Sequence, residues 1–155
     1  MHPRAVELIR ELRLEAHPEG GYYRRVFESA QRLASGRFCS TAILFLLPAG
    51  VAGRWHRVDA DELWHFYEGA PLELLIADVP ETIRREILGP VGDGSLPQRA
   101  VPAQAWQAAR TLGAFTLVGC TVAPGFDFAG FRLLADDAEA QQARPELMQA
   151  YPELL

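Results

Sequence analysis

Apolar and polar positions change rhythm twice along the chain. Val6, Ile9 and Leu12, with Leu8 beside them, recur at helical spacing after Pro3, which predicts an amphipathic helix over about residues 3–14. HPEGG (His17 to Gly21) breaks that pattern. From Tyr22 onward, short runs rich in Val, Ile, Phe, Tyr and Thr are separated by Gly and Pro. YYRRVF, CSTAILFLL, GRWHRV, ELWHFY, LELLIAD, TIRREIL, QRAVP, AWQAAR, FTLVGCTVA and DFAGFRLL are ten candidate strands. Many short strands at regular spacing predict a β-sandwich or barrel over about residues 20–134, not a parallel α/β sheet. From Asp137 the chain turns to Ala, Glu and Gln, which predicts a helical tail over about 137–151, interrupted by Pro145 and Pro152. No repeat or low-complexity tract divides the sequence, so residues 1–155 are expected to form one all-β domain with a helix at each end.

Composition narrows the function more than the fold. At 155 residues, 49% apolar and 23% charged, the chain can bury a core without disulfides or a structural metal. Its net charge of -5 argues against nucleic acid or an anionic membrane as the main partner. All 15 basic residues are Arg, and Lys and Asn are absent. A lysine Schiff base, a pyridoxal-phosphate lysine and a Walker A loop are therefore excluded, as is N-glycosylation. Cys39 and Cys120 lie in apolar runs and read as two buried free thiols. The charged N-terminus has no signal-peptide apolar region, and the longest apolar run, Ala42 to Leu47, is too short to span a bilayer. A cytoplasmic location is expected.

Histidine is scarce, so its placement carries information. Of His2, His17, His56 and His65, the last two fall in one block, GVAGRWHRVDADELWHFYEG, from Gly50 to Gly69. Strand alternation puts Arg54, His56 and Val58 on one face and Trp55 and Arg57 on the other. Asp59-Ala60-Asp61 signals a turn, so a hairpin is expected to bring His56 against Glu62. Such a pair can ligate a metal, form a base with its orienting carboxylate, or simply pin the hairpin. His65, at an odd offset from Glu62, is sent to the opposite face by regular pleating; a β-bulge would be needed to turn it inward. Trp55, Trp64 and Trp106 read as core or cavity wall. Arg24, Arg25, Arg54 and Arg57 are either surface charges or contacts to an anionic ligand. The glycines of HPEGG and of APGF (Ala123 to Phe126) read as turns.

The same block resembles the first motif of the cupin superfamily, with Gly50, His56, Glu62 and Gly69 at the required spacings and Val58 where the second motif histidine would stand. The second cupin motif can be laid on VPAQAWQAARTLG, with Pro102 in place but Gln104 for its glycine and Gln107 for its metal-binding histidine. HPEGGYYR, STAI, WHRV, DELWHFYEG, PLEL, VPAQAWQAA and TLVGCTVAPGFDF, in that order, look like the cupin 5 family, over about His17 to Phe128. The resemblance implies a cupin double-stranded β-helix, or jelly roll, with an N-terminal helix and C-terminal helices. It also implies a homodimer in which the YYRRVF strand joins the neighbour's sheet.

Typical metal-binding cupins supply three His and one Glu. Only His56 and Glu62 of that set remain here, so no cofactor is expected, and any divalent metal, held by His56, Glu62 and Gln107, would be weakly bound. Metal-free sugar-nucleotide epimerases of the same superfamily suggest His56 as base, Glu62 as its orienter and a tyrosine, Tyr23, as the opposing acid. Arg54, Gln107, His65, Tyr22 and Trp64 are the candidate ligand contacts. The leading expectation is metal-independent epimerase- or isomerase-like chemistry on a small polar molecule, a carbohydrate or nucleotide-sugar derivative. A non-catalytic ligand-binding or sensing module and a metal-dependent cupin with a non-standard ligand set stand as alternatives.

Overall fold

Apolar alternation resolves into two six-stranded sheets in the computed structural model, which describes residues 1–155. In chain order the elements are α1 (Pro3–Glu11), β1 (Glu15–Ala16), β2 (Tyr22–Glu28), β3 (Thr41–Pro48), β4 (Ala52–Val58), β5 (Asp61–Gly69), β6 (Leu72–Ala77), β7 (Arg84–Leu88), β8 (Ser95–Leu96), β9 (Gln98–Val101), β10 (Trp106–Thr111), β11 (Phe115–Ala123), β12 (Phe131–Leu133), α2 (Ala138–Ala143) and α3 (Pro145–Ala150). The first sheet is ordered β1-β2-β3-β11-β5-β9 and the second β12-β4-β10-β6-β7-β8. Each of the ten expected segments contains a strand. The two-residue β1 and β8 are too short for alternation to reveal, and DFAGFRLL opens with a 3-10 turn at Phe128–Gly130.

The faces of the strands explain the layering. β6, LELLIA, is buried along its whole length because both its faces are covered. Leu72, Leu74 and Ile76 face Phe45, Leu47, Trp64 and Val118 between the sheets. Leu75 and Ala77 lie instead with Trp55 and Trp106 beneath the C-terminal segment, where Leu134, Ala140, Leu147 and Leu154 close the outer face of the second sheet. α1 covers the first sheet in the same way, laying Ala5 and Leu8 on Leu46, Phe115 and Leu117. Its buried stripe thus runs through Ala5 and leaves Val6 exposed, one residue off the stripe expected from the sequence. It also ends at Glu11, short of residue 14, because Arg13 takes a positive φ of 53° that no helix continues. Pro145 does not merely interrupt the tail but starts α3, its missing N–H falling where a helix has no use for it.

One expectation fails in a way that matters for the site. β4 and β5 do not pair as a hairpin: β4 lies between β10 and β12 in the second sheet, and β5 between β11 and β9 in the first. Asp59-Ala60 is a corner that passes the chain across the core, and Arg37 clamps it through two hydrogen bonds to the Asp59 carboxylate, at 2.9 and 2.7 Å. His56 and Glu62 therefore approach from opposite walls of the sandwich. β2 is covered on its outer side only at Tyr22 and Tyr23, by β1, so Arg24 to Glu28 form an open edge with Val26 and Phe27 exposed. Cys39 and Cys120 are free thiols. No helix is long and apolar enough to cross a membrane.

Candidate functional site

Between the two sheets lies a cavity of about 30 Å³, room for about one water molecule. Phe45, Trp64, Phe126 and Phe131 form much of its apolar wall, and five polar or ionisable side chains face it: His17, Glu19, His56, Glu62 and Cys120. β4 brings His56 from the second sheet, and β5 and β11 bring Glu62 and Cys120 from the first. His17 and Glu19 come from the loop between β1 and β2.

His56 is held at both ring nitrogens. Its Nδ1 is 2.7 Å from the carbonyl of Arg54, which only a ring N–H can satisfy, so the proton sits there and Nε2 carries the lone pair. Nε2 is 3.1 Å from Oε2 of Glu19, and the ring stacks on Phe131. With 2% exposure, burial lowers the imidazole to a pKa of about 4, against a smaller opposing effect of the Arg54 carbonyl. His17 is also lowered to about 4, by burial and then by the neighbouring His56; its Nδ1 accepts the Glu19 backbone N–H at 3.2 Å. Glu19 moves the other way. Burial, then the charge of Glu62, raises its carboxyl well above the usual range, although Arg54 opposes the shift. The two imidazoles are accordingly uncharged at neutral pH, while burial favours the protonated form of Glu19, whose Oε2 lies against the unprotonated Nε2 of His56. With both imidazoles neutral, the contacts of the Glu19 carboxyl with them, 3.1 Å to His56 and 3.6 Å to His17, are not ion pairs.

Local backbone chemistry puts Glu19 there. Gly20 has a φ of 114°, and a side chain at that position would run into the Ala52 carbonyl, so glycine is what lets the loop press against β4. On the facing strand Gly53 leaves the space that Oε1 of Glu19 occupies: a Cβ there would lie 3.2 Å from that oxygen.

Glu62 is 6% exposed and accepts a 2.6 Å hydrogen bond from Nε2 of Gln107, whose Oε1 in turn accepts from the Trp64 indole at 3.0 Å. Burial raises Glu62 to about 7, with Gln107 foremost among the hydrogen-bonding groups that hold it from rising further. Burial also pushes the Cys120 thiol well up, which removes it as a thiolate nucleophile. The site is thus a small, largely apolar chamber holding a base, a carboxyl that burial biases toward its protonated form and a second carboxyl that titrates near neutrality.

Residues 6–134 match the family described as "Cupin superfamily (DUF985)", cupin 5. The chain belongs to the cupin 5 family. Among solved structures, a protein from Shewanella oneidensis is 31% identical, with a TM-score of 0.87 over 96% of this chain and 94% of that one. A hypothetical protein from Leishmania major is 32% identical, with a TM-score of 0.80 over 96% and 93% of the two chains. Oxalate decarboxylase from Bacillus subtilis superposes with a TM-score of 0.61 at 15% identity, over 90% of this chain but only 34% of its own, which shows the jelly-roll fold alone. Among curated proteins, none matches the sequence.

Within this cupin, the expected site residues separate into those that meet at the cavity and those that do not. His56, Glu62 and Trp64 line it, and Gln107 reaches it through Glu62. Arg54 does not line it: its guanidinium donates to the Pro18 carbonyl at 2.8 Å, its backbone N–H donates to the Glu19 carbonyl at 2.9 Å, and its charge opposes the rise of the Glu19 carboxyl. Glu62 is not the orienter of His56; the Arg54 carbonyl and Glu19 hold that ring. Tyr23 is absent from the cavity wall. It packs edge-on against His17 at 4.5 Å between ring centroids, so His17 is the group that reaches the chamber from that side. Tyr22, its neighbour along the strand, points the opposite way and packs beneath α1. His65 lies on the outer face of β5, bonded to Thr121 and Gln98; the bulge between β5 and β11 falls beyond it, opposite Phe66 to Glu68, and does not turn it inward. Glu19 and His17 were masked in the sequence by a stretch that reads as a turn.

The donor set does not fit a transition-metal centre. Val58 fills one ligand position of the cupin motif with an alkyl group, and Gln107 turns its NH₂ toward Glu62 while its oxygen is taken by Trp64. No three His, Cys, Asp or Glu side chains converge as ligands.

Proposed function

We propose that this cupin catalyses metal-independent proton exchange beside a carbonyl on a small polar ligand, an epimerase- or isomerase-like reaction on a carbohydrate or nucleotide-sugar derivative. The observation that carries the reading is the His56–Glu19 pair: Nε2 of His56, left with its lone pair by the bond of Nδ1 to Arg54, lies 3.1 Å from Oε2 of a buried carboxyl that burial biases toward its protonated form. A carbonyl group that displaces their contact takes the Glu19 proton on its oxygen as His56 Nε2 takes the proton from the adjacent carbon, which leaves a neutral enol. Glu62, in its protonated form, gives its proton to the opposite face of that carbon while the enol O–H proton returns to the Glu19 carboxylate, and the imidazolium then passes its proton through water to Glu62, so that all three groups are restored. The closure of the chamber, with room for about one water, favours the second reading, a module that binds or senses its ligand without turnover and must open to admit it. The open edge of β2 supports a homodimer, for which light scattering is the check.

Incubating the protein with a panel of keto-sugars and keto-sugar nucleotides in D₂O, and following deuterium incorporation by mass spectrometry, separates the readings. Exchange that falls about 100-fold or more in His56→Gln, with an unchanged melting temperature, supports catalysis. Exchange that survives in His56→Gln, or is absent across the panel, overturns it.

A further inference from the structure

We propose that the groove outside this cavity binds the phosphate end of the ligand, so that the substrate is a phosphorylated small molecule; the inference rests on the acid–base reading above for the reacting end. The groove has a volume of about 950 Å³, far larger than the chamber, and four guanidiniums face it, those of Arg24, Arg25, Arg32 and Arg37. Glu15 and Asp127 are its carboxylates, so the balance is cationic in a chain whose net charge is -5.

The four arginines are not equally engaged. Arg37 is committed to Asp59, and Arg25 reaches Glu28 at 3.2 Å. Arg24 and Arg32 have no carboxylate partner: Arg24 donates to the Leu12 carbonyl at 3.2 Å and Arg32 to the Gly36 carbonyl at 2.8 Å. Arg32 also lies over the Phe38 ring, 3.9 Å from its centroid, which fixes the plane of its fork. Exposed guanidiniums with unused N–H groups and one pre-set plane suit phosphoryl oxygens, which accept from them in pairs.

Groove and chamber share a wall. Phe126 lines both, and Tyr23 lines the groove while packing on the His17 ring that lines the chamber. The Gly125–Phe126 wall hangs from the groove arginines, with Arg37 donating to the Gly125 carbonyl and Arg25 to that of Phe126. A ligand anchored by its phosphate in the groove is therefore placed at the wall through which its neutral end must pass to reach His56.

Calorimetric titration with inorganic pyrophosphate tests this on the wild type, Arg24→Ala/Arg32→Ala and His56→Gln. Expected are binding to the wild type that weakens with salt, a loss of roughly tenfold or more in the double arginine variant, and unchanged affinity in His56→Gln. Both arginines are exposed, so the double variant should melt with the wild type, and Arg32→Glu gives a second variant with the same sign. No binding, equal binding by the arginine variants, or loss of binding in His56→Gln would each overturn the assignment. The two claims fail separately: pyrophosphate binding without His56-dependent exchange removes the catalytic reading and keeps the groove, and the reverse removes the groove alone.

Discussion

Glu62 and Glu73 are almost equally withdrawn from water, at 6% and 3% exposure, yet their surroundings drive them in opposite directions. Glu73 sits on the outer side of β6, opposite Arg110 in the cross-strand register, with Arg85 on the adjoining strand β7. Burial pushes its carboxyl up, but hydrogen bonds from Arg85 and then Arg110 outweigh that and hold it below the usual range. Glu62 lies deeper, between the sheets, and has a neutral amide, Gln107, where Glu73 has two cations, so its pKa rises to about 7. Burial alone does not mark a functional carboxylate. The absence of a compensating cation does, because such a group holds or releases its proton near neutral pH.

Three substitutions test the contrast. Glu62→Gln keeps the shape and an oxygen for Gln107 while removing the titration. A pKa raised in the folded state means stability fully present below the unfolded value near 4.5 and lost as pH rises through about 7. The variant should therefore gain roughly 2 to 3 kcal/mol over the wild type at about pH 8, and show little difference at about pH 4.5, in urea unfolding. A variant no more stable than wild type at about pH 8 would remove the raised pKa. Glu73→Gln should act with the opposite sign. Its stabilisation is present above the unfolded pKa and lost as pH falls through the lower folded one. With Arg85 and Arg110 themselves about half exposed, the cost at neutral pH is held to about 1 to 2 kcal/mol, and the two proteins should converge in acid. The smallest effect belongs to His65→Gln, on the outer face of β5: below about 0.5 kcal/mol, with no change in proton exchange. A large loss of exchange would return His65 to the site.

Much of the fold is legible in the sequence because alternation is a local signal. Ten strands, both terminal helical regions and the outward face of His65 follow from period and pleat. The motif spacing also brings His56 and Glu62 to one cavity, though for the wrong geometric reason: a turn dipeptide looks the same whether it joins two paired strands or carries the chain from one sheet to the other. The carboxylate that His56 meets was not legible, since Glu19 comes from a distant loop and no periodicity links it to β4. What signal there was lies in the glycines. Gly20 and Gly21 directly after Glu19, and Gly53 on the strand it meets, mark a close backbone approach, which an HPEGG stretch read as a surface turn conceals. Tyr23 misses the chamber for a related reason: the imidazole of His17, in that same loop, lies against the tyrosine ring and lines the chamber in its stead.

The central claim is that His56 is a neutral base with its proton on Nδ1 across the physiological range. Nitrogen-15 imidazole NMR of the folded protein, with His56→Gln to assign the resonances, measures this directly. The account predicts an Nδ1–H tautomer for His56 with no titration between about pH 5 and 8, since its pKa lies near 4. A His56 that titrates near 6.5, or that carries its proton on Nε2, would contradict it.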